Sequence, residues 1–233
     1  MKKLNITLFA LAFSGSTLAS GLPDDPLLFM FKLDKAEYRN ASEGDVFAWD
    51  AQAWLGKDLN KLWLKSEGEI LEGDTEEGDL EVLYSRAVAP FWDLQVGWRH
   101  DFEPTPSRDW FAFGVKGLAP YLFEVDASAY VGESGRMFFR AKAEYEYMFT
   151  QKLILTPEGE INLYTKNDEE VGIGSGLSDL TLGLRLRYEI RREFAPYIGI
   201  NWWKQYGGTA DYSREEGMDT SDTEFVVGIR AWF

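Results

Sequence analysis

GRMFFRAKAEYEYMF, residues 135–149, decides the fold. Met137, Phe139, Ala141, Ala143, Tyr145, Tyr147 and Phe149 interleave with Phe138, Arg140, Lys142, Glu144, Glu146 and Met148. Period two puts an apolar set on one face of a strand and a largely charged set on the other. A strand of a soluble sheet usually spans five or six residues, whereas a tilted membrane strand needs about nine to eleven. The length therefore selects the wall of a transmembrane barrel, with one face on lipid and the other on a lumen.

The pattern recurs at 121–131, where Tyr121, Phe123, Val125, Ala127 and Ala129 oppose Glu124, Asp126 and Ser128. It recurs again at 180–188, where Leu180, Leu182, Leu184, Leu186 and Tyr188 oppose Thr181, Arg185 and Arg187. Nine further strands are read at 27–38, 45–56, 60–71, 79–88, 91–101, 108–117, 152–164, 193–204 and 222–233, making twelve, with ten as the alternative count. The connections check this independently, because outer-membrane barrels pair short periplasmic turns with longer outer loops. Short links fall near 56–60, 89–90, 118–119, 150–151 and 191–193, and longer polar ones near 40–44, 72–78, 103–108, 165–175 and 205–220, with a tight 131–135 turn as the exception. An even count with both ends in the periplasm satisfies the alternation. The expected fold is an all-β, antiparallel, up-and-down transmembrane barrel over residues 27–233.

The two ends of the chain agree. MKKLNITLFALAFSGSTLAS (1–20) has a basic head at Lys2 and Lys3, an apolar stretch from Leu4 to Phe13 and small residues near its end, which reads as a secretory signal cut near Ala19 or Ser20. Residues 21–26 then form a short N-terminal segment. At the other end Phe225, Val227, Ile229, Ala231 and Phe233 occupy alternate positions and leave an aromatic residue last, an ending that resembles the signal read by the outer-membrane assembly machinery. Trp49, Trp54, Trp92, Trp98, Tyr147, Tyr164, Tyr188 and Trp202 fall near strand ends, where amphipathic rings suit the two lipid–water boundaries. Outer-membrane lipid is thus the expected surrounding.

Composition closes off several functions. With no Cys in the chain there is no disulfide, zinc finger, iron–sulfur cluster or thiol nucleophile. The formal charge of −15, more negative still without Lys2 and Lys3, repels nucleic acid and tolerates cations.

If the apolar faces meet lipid, the opposite faces fill the lumen with Asp50, Lys65, Glu67, Glu69, Asp93, Arg99, Glu124 and Asp126 from the first half of the chain. Arg140, Glu144, Glu146, Glu158, Glu160, Arg185, Arg187 and Arg230 follow from the second. Mixed acids and bases favour an ion-paired filling that satisfies buried charge; the alternative is a polar, cation-tolerant pathway. The lone histidine, His100, shares the outward parity of Trp92, Leu94, Val96 and Trp98. It lacks a neighbouring Ser, so it reads as an interfacial side chain and no catalytic residue is assigned. Gly172, Gly174 and Gly176 lack the Lys of a phosphate loop and read as an outer loop leading into a strand. Thioethers are soft ligands for Cu(I). Met30 and Met148 have lumen parity and belong near the periplasmic end, Met137 faces lipid, and Met218 sits in the last outer loop. Packing is the commoner use of Met, so the pair are candidate metal contacts only.

The blocks WDAQAWLGKDLNKLWLKSEGE (49–69), LYSRAVAPFWDLQVGWRHD (83–101), FGVKGLAPYLFEVDASAYVGESGR (113–136), TQKLILTPEGEINLY (150–164) and GIGSGLSDLTLGLRLRYEIRREFAPYIGINW (172–202) resemble the copper resistance protein B family, and GGTADYSREEG (207–217) is similar to that family's last loop. The resemblance implies an outer-membrane barrel of copper resistance that moves or sequesters copper ions by transient contact, without catalysis, beside a periplasmic multicopper oxidase. Many members carry a Met- and His-rich segment ahead of the barrel; the corresponding stretch here, about Gly21 to Pro26, has neither residue. A phospholipase-like outer-membrane enzyme and a structural or adhesive barrel are the other readings that the residues leave open.

Overall fold

The computed structural model describes residues 25–42 and 44–233. The expected signal peptide over 1–20 lies outside them, as do residues 21–24 of the short segment. The strands are Leu28–Ala41 (β1), Gly44–Gly56 (β2), Asn60–Leu71 (β3), Asp74–Ala89 (β4), Trp92–Glu103 (β5), Arg108–Ala119 (β6), Phe123–Gly132 (β7), Met137–Glu144 (β8), Tyr147–Met148 (β9), Leu153–Tyr164 (β10), Gly176–Tyr188 (β11), Phe194–Gln205 (β12) and Ser221–Trp232 (β13). Each pairs antiparallel with its neighbour and β13 closes onto β1, so the sheet has no free edge.

β8 and β9 are one stave broken at Tyr145 and Glu146, which makes twelve staves from thirteen segments. Proline explains the break. Tyr145 N–H donates to the Pro157 carbonyl of β10 at 3.0 Å, and Pro157 has no N–H with which to return the bond.

The outward face carries the apolar set. Leu184, Ile200 and Phe225 lie side by side in register on β11, β12 and β13, all exposed on the outer wall, and Phe139 and Leu182 are likewise exposed. The inward face is less uniform than period two implies. Leu83, Trp110, Ala112, Tyr130 and Phe138 form a buried cluster inside the barrel, with Trp63 and Tyr164 packed against it. Trp54 and Tyr164, expected at the lipid boundary, turn inward. Trp54 shares the parity of Asp50 and Gln52 and meets Trp63 at 6.2 Å, and Tyr164 stacks on Phe138 at 5.0 Å. An aromatic wedge thus fills the lumen against the β3–β8 side and leaves the remainder to charge.

At the outer end, β1–β2 and β3–β4 run on as ladders to Ala41–Gly44 and Leu71–Asp74, where longer polar links were expected. The last outer loop holds a helix, α1 (Gly207–Glu216), that the loop reading did not foresee. It ends at Gly217, whose left-handed φ of 80° lets Gly217 N–H and Met218 N–H reach back to Arg214 and Ser213 carbonyls. Thr209, Ala210 and Ser213 form its buried face. There Thr209 Oγ1 accepts from Gly174 N–H at 2.9 Å, and a Cβ at Gly174 would stand 2.4 Å from Thr209 N. The middle glycine of the Gly-rich loop is therefore a contact point for α1.

Candidate functional site

A bulge between Leu33 and Ala36 shifts the parity of β1, so that Glu37 and Arg39 point inward after Lys32. Glu37 is 0 % exposed. It accepts from Arg185 Nη2 at 2.7 Å, Arg185 Nε at 2.9 Å, Arg39 Nε at 2.8 Å and the Tyr197 hydroxyl at 2.9 Å. Arg39 continues to Glu69 at 2.5 Å, and Arg185 to Glu158 at 2.5 Å. This knot ties β1, β3, β10, β11 and β12 beside the closing seam.

A second knot lies against the aromatic wedge. Arg99 reaches Asp79 at 2.9 Å, Glu81 at 3.2 Å and Asp101 at 2.6 Å, and its guanidinium sits over the Tyr130 and Phe138 rings. The Tyr130 hydroxyl donates to Glu81 at 2.7 Å. Planar arginine forks of this kind suit carboxylates taken out of water.

Between the knots, single pairs cross the bore. Lys142 on β8 places Nζ 2.5 Å from both oxygens of Glu67 on β3, five staves away round the wall, and 3.4 Å from Glu160. Lys65 of β3 meets Asp126 of β7 at 2.8 Å, and Lys116 of β6 meets Gln52 of β2 at 2.8 Å, each spanning four staves. Lys35 reaches Glu158 at 2.7 Å, and Arg230 reaches Glu144, Glu146 and Asp34, each at 3.2 Å. Arg140 joins Glu160 at 3.2 Å and Glu67 at 3.5 Å, and Arg187 joins Glu146 at 2.6 Å. Asp93 meets Lys61 at 3.4 Å, Asp50 stands half-buried opposite Glu67 in register, and Glu124 is exposed at the periplasmic rim.

The inward residues named from parity thus stand in one charged lumen, and the structure adds Asp34, Lys35, Glu37, Arg39, Asp79 and Glu81. A signal for the last two was present: Leu80, Val82 and Tyr84 alternate with Asp79 and Glu81. Asp34 shares the parity of Met30 and Lys32, whereas for Lys35, Glu37 and Arg39 there was no signal, because the β1 bulge breaks the period.

The outer mouth is tied by Asp168 in the 165–175 loop, which receives Arg108 at 3.0 and 3.1 Å and also Arg136. Burial works against this carboxylate, but the hydrogen bonds and charge of Arg108, with Arg136 beside it, hold its carboxyl below the usual aspartate range. On the outer wall His100 stacks on Trp98 at 5.6 Å, with Nδ1 2.9 Å from Asp109. Neither neighbour carries a hydroxyl.

Met30 is half-buried opposite Trp54 near the start of β1, and Met148 is exposed opposite Ile154 at the end of β9. Both lie at the end of the short turns, on staves separated by β10, β11, β12 and β13. Among the described residues, no three His, Asp or Glu side chains converge to hold a metal ion.

Residues 27–233 match the family described as copper resistance protein B precursor (CopB). The chain is 45% identical over 210 residues to a copper resistance protein B homolog of Pseudomonas syringae pv. tomato, covering 90% of this chain and 71% of the relative. It is 42% identical over 219 residues to copper resistance protein B of Escherichia coli, covering 94% and 74%. Among solved structures it is similar to the NanC porin, with a TM-score of 0.55 and 13% identity over 88% of this chain and 99% of the porin. It is also similar to outer membrane phospholipase A from Escherichia coli, with a TM-score of 0.50 and 13% identity over 87% and 92%. At these identities the two structures show the barrel fold alone.

Proposed function

This chain belongs to the copper resistance protein B family, and from that premise and its lumen we propose that it moves copper ions along the barrel interior by transient contact, without catalysing a reaction. One observation carries the reading: apart from the buried Lys65, lysines that cross the bore stay partly exposed. Lys142 and Glu67 are 27% and 26% exposed, whereas Arg185 and Glu37 in the knot are 6% and 0%. Carboxylates in a hydrated file attract either copper oxidation state without selecting it, and a thioether at the periplasmic end favours Cu(I). Met30 and Met148 are the proposed sulfur contacts, at separate points of the mouth, with a periplasmic multicopper oxidase as the partner on that side. The enzyme reading has less support, since His100 has an acid partner in Asp109 but no hydroxyl among its contacts.

The test is copper flux into liposomes that hold the purified barrel, beside a Met30→Leu/Met148→Leu variant whose packing volume is nearly unchanged. Flux above empty liposomes that falls in the variant is the expected result. Unchanged flux would make both methionines packing residues, and no flux at all would sink the conduit.

A further inference from the structure

The buried arginines and the partly exposed lysines of the lumen are used differently. Arg39, Arg99, Arg185 and Arg187 are nearly buried and hold acids no more than three staves away, whereas Arg140 and Arg230, 16% and 14% exposed, reach Glu67 and Glu144 across five and four staves. Lys35, Lys116 and Lys142 keep 23%, 28% and 27% exposure and reach partners four or five staves away; Lys65 also crosses but is buried. An ammonium is a compact, hydrated point charge on a flexible stem, whereas a guanidinium fork is held by its geometry.

Lys142 is the clearest case. Its Nζ lies between Glu67 and Glu160, where the other cation is Arg140, and Asp50 stands beside Glu67 in register. The ammonium therefore occupies the position that a mobile cation would take between two carboxylates. Swinging it aside removes one of the two cations that bridge β8 to β3 and leaves Glu67, Glu160 and Asp50 with Arg140 and, opposite Asp50 in register, Lys35.

We propose that Lys142 is a tethered cation that plugs the bore and sets its ion selectivity, with Glu67 and Glu160 as the carboxylates a passing cation meets. This rests on the reading of the lumen as a cation path. An anion gains nothing from the lysine's departure, because the charge it uncovers is negative. The same residue thus limits how much passes and weakens the preference for cations.

The experiment uses the absence of Cys from the chain. Lys142→Cys introduces a single thiol, and an aminoethyl methanethiosulfonate reagent then restores a tethered ammonium at that position. Conductance and reversal potential are recorded in planar bilayers across a KCl gradient, free of copper, with Lys142→Gln as the second variant. Lys57→Cys, on the exposed 56–60 turn, serves as the control. Both Lys142 variants should conduct more than the parent and prefer K⁺ over Cl⁻ by about fivefold more, the weight of one unit charge at contact distance in water. Aminoethylation should return Lys142→Cys to the parent's values and leave the control unchanged. Parent-like conductance and selectivity in both variants, or failure of both to form barrels, would overturn the assignment. Copper flux is not part of the recording, so a failed copper assay would leave this result standing.

Discussion

Glu37→Gln tests whether the buried knot holds the barrel. In the parent, Oε1 accepts from Arg185 Nη2 and Arg39 Nε, and Oε2 from Arg185 Nε and the Tyr197 hydroxyl. The amide nitrogen belongs on the Tyr197 side, where the hydroxyl can rotate to accept; Arg185 Nε is then left facing a donor. One negative charge is also lost between two guanidiniums, although Glu69 and Glu158 remain on their far sides. Breaking a buried pair costs about 3–5 kcal/mol, and the surviving partners put the amide near the lower end, about 3 kcal/mol. Glu37→Leu removes all four acceptor contacts and belongs near about 5 kcal/mol, while Tyr197→Phe loses one hydrogen bond, about 1 kcal/mol. Urea titration of the barrel folded in vesicles, followed by Trp fluorescence and heat-shifted gel mobility, measures the series. The order Tyr197→Phe, Glu37→Gln, Glu37→Leu is the expected ranking of damage. If both Glu37 variants fall within about 1 kcal/mol of the parent, the knot behaves like a solvent-exposed pair and the reasoning fails.

Three further outcomes are expected. Leu184→Arg puts a charge on the lipid face between Pro157 and Ile200 and should destabilise the barrel by about 2–4 kcal/mol if that level is the midplane, measured by the same titration. Because the folded Asp168 carboxyl titrates below its ordinary value of 3.8, its hold on Arg108 and Arg136 is complete above that pH and is lost as pH falls through the lower folded value. A spin label at Glu169→Cys should therefore stay immobile at neutral pH and loosen only below 3.8, whereas adding Asp168→Asn should loosen it at every pH. Gly174→Val forces a side chain against Gly208 and Thr209 and should speed amide exchange in Gly207–Glu216 while the strand amides stay protected.

Strand positions and their number were legible because period two and the width of the bilayer act on each segment separately. β3 spans 60–71 as read, and β11 differs only by starting at Gly176 in place of residue 180. The lipid face of β8 and the inward direction of Arg140, Arg185 and Arg230 follow from the same local rule. That rule fails where one residue is inserted: the bulge after Leu33 turns Glu37 and Arg39 inward, and no periodicity announces it. Nor does alternation separate inward aromatics from interfacial ones, which is why Trp54 and Tyr164 join the interior. The choice of partners was not legible at all. Glu67 and Lys142 are 75 residues apart, and Glu37 and Arg185 are 148 apart. Which acid meets which base across the lumen depends on how twelve tilted staves close, because closure sets the height of every inward side chain against those opposite.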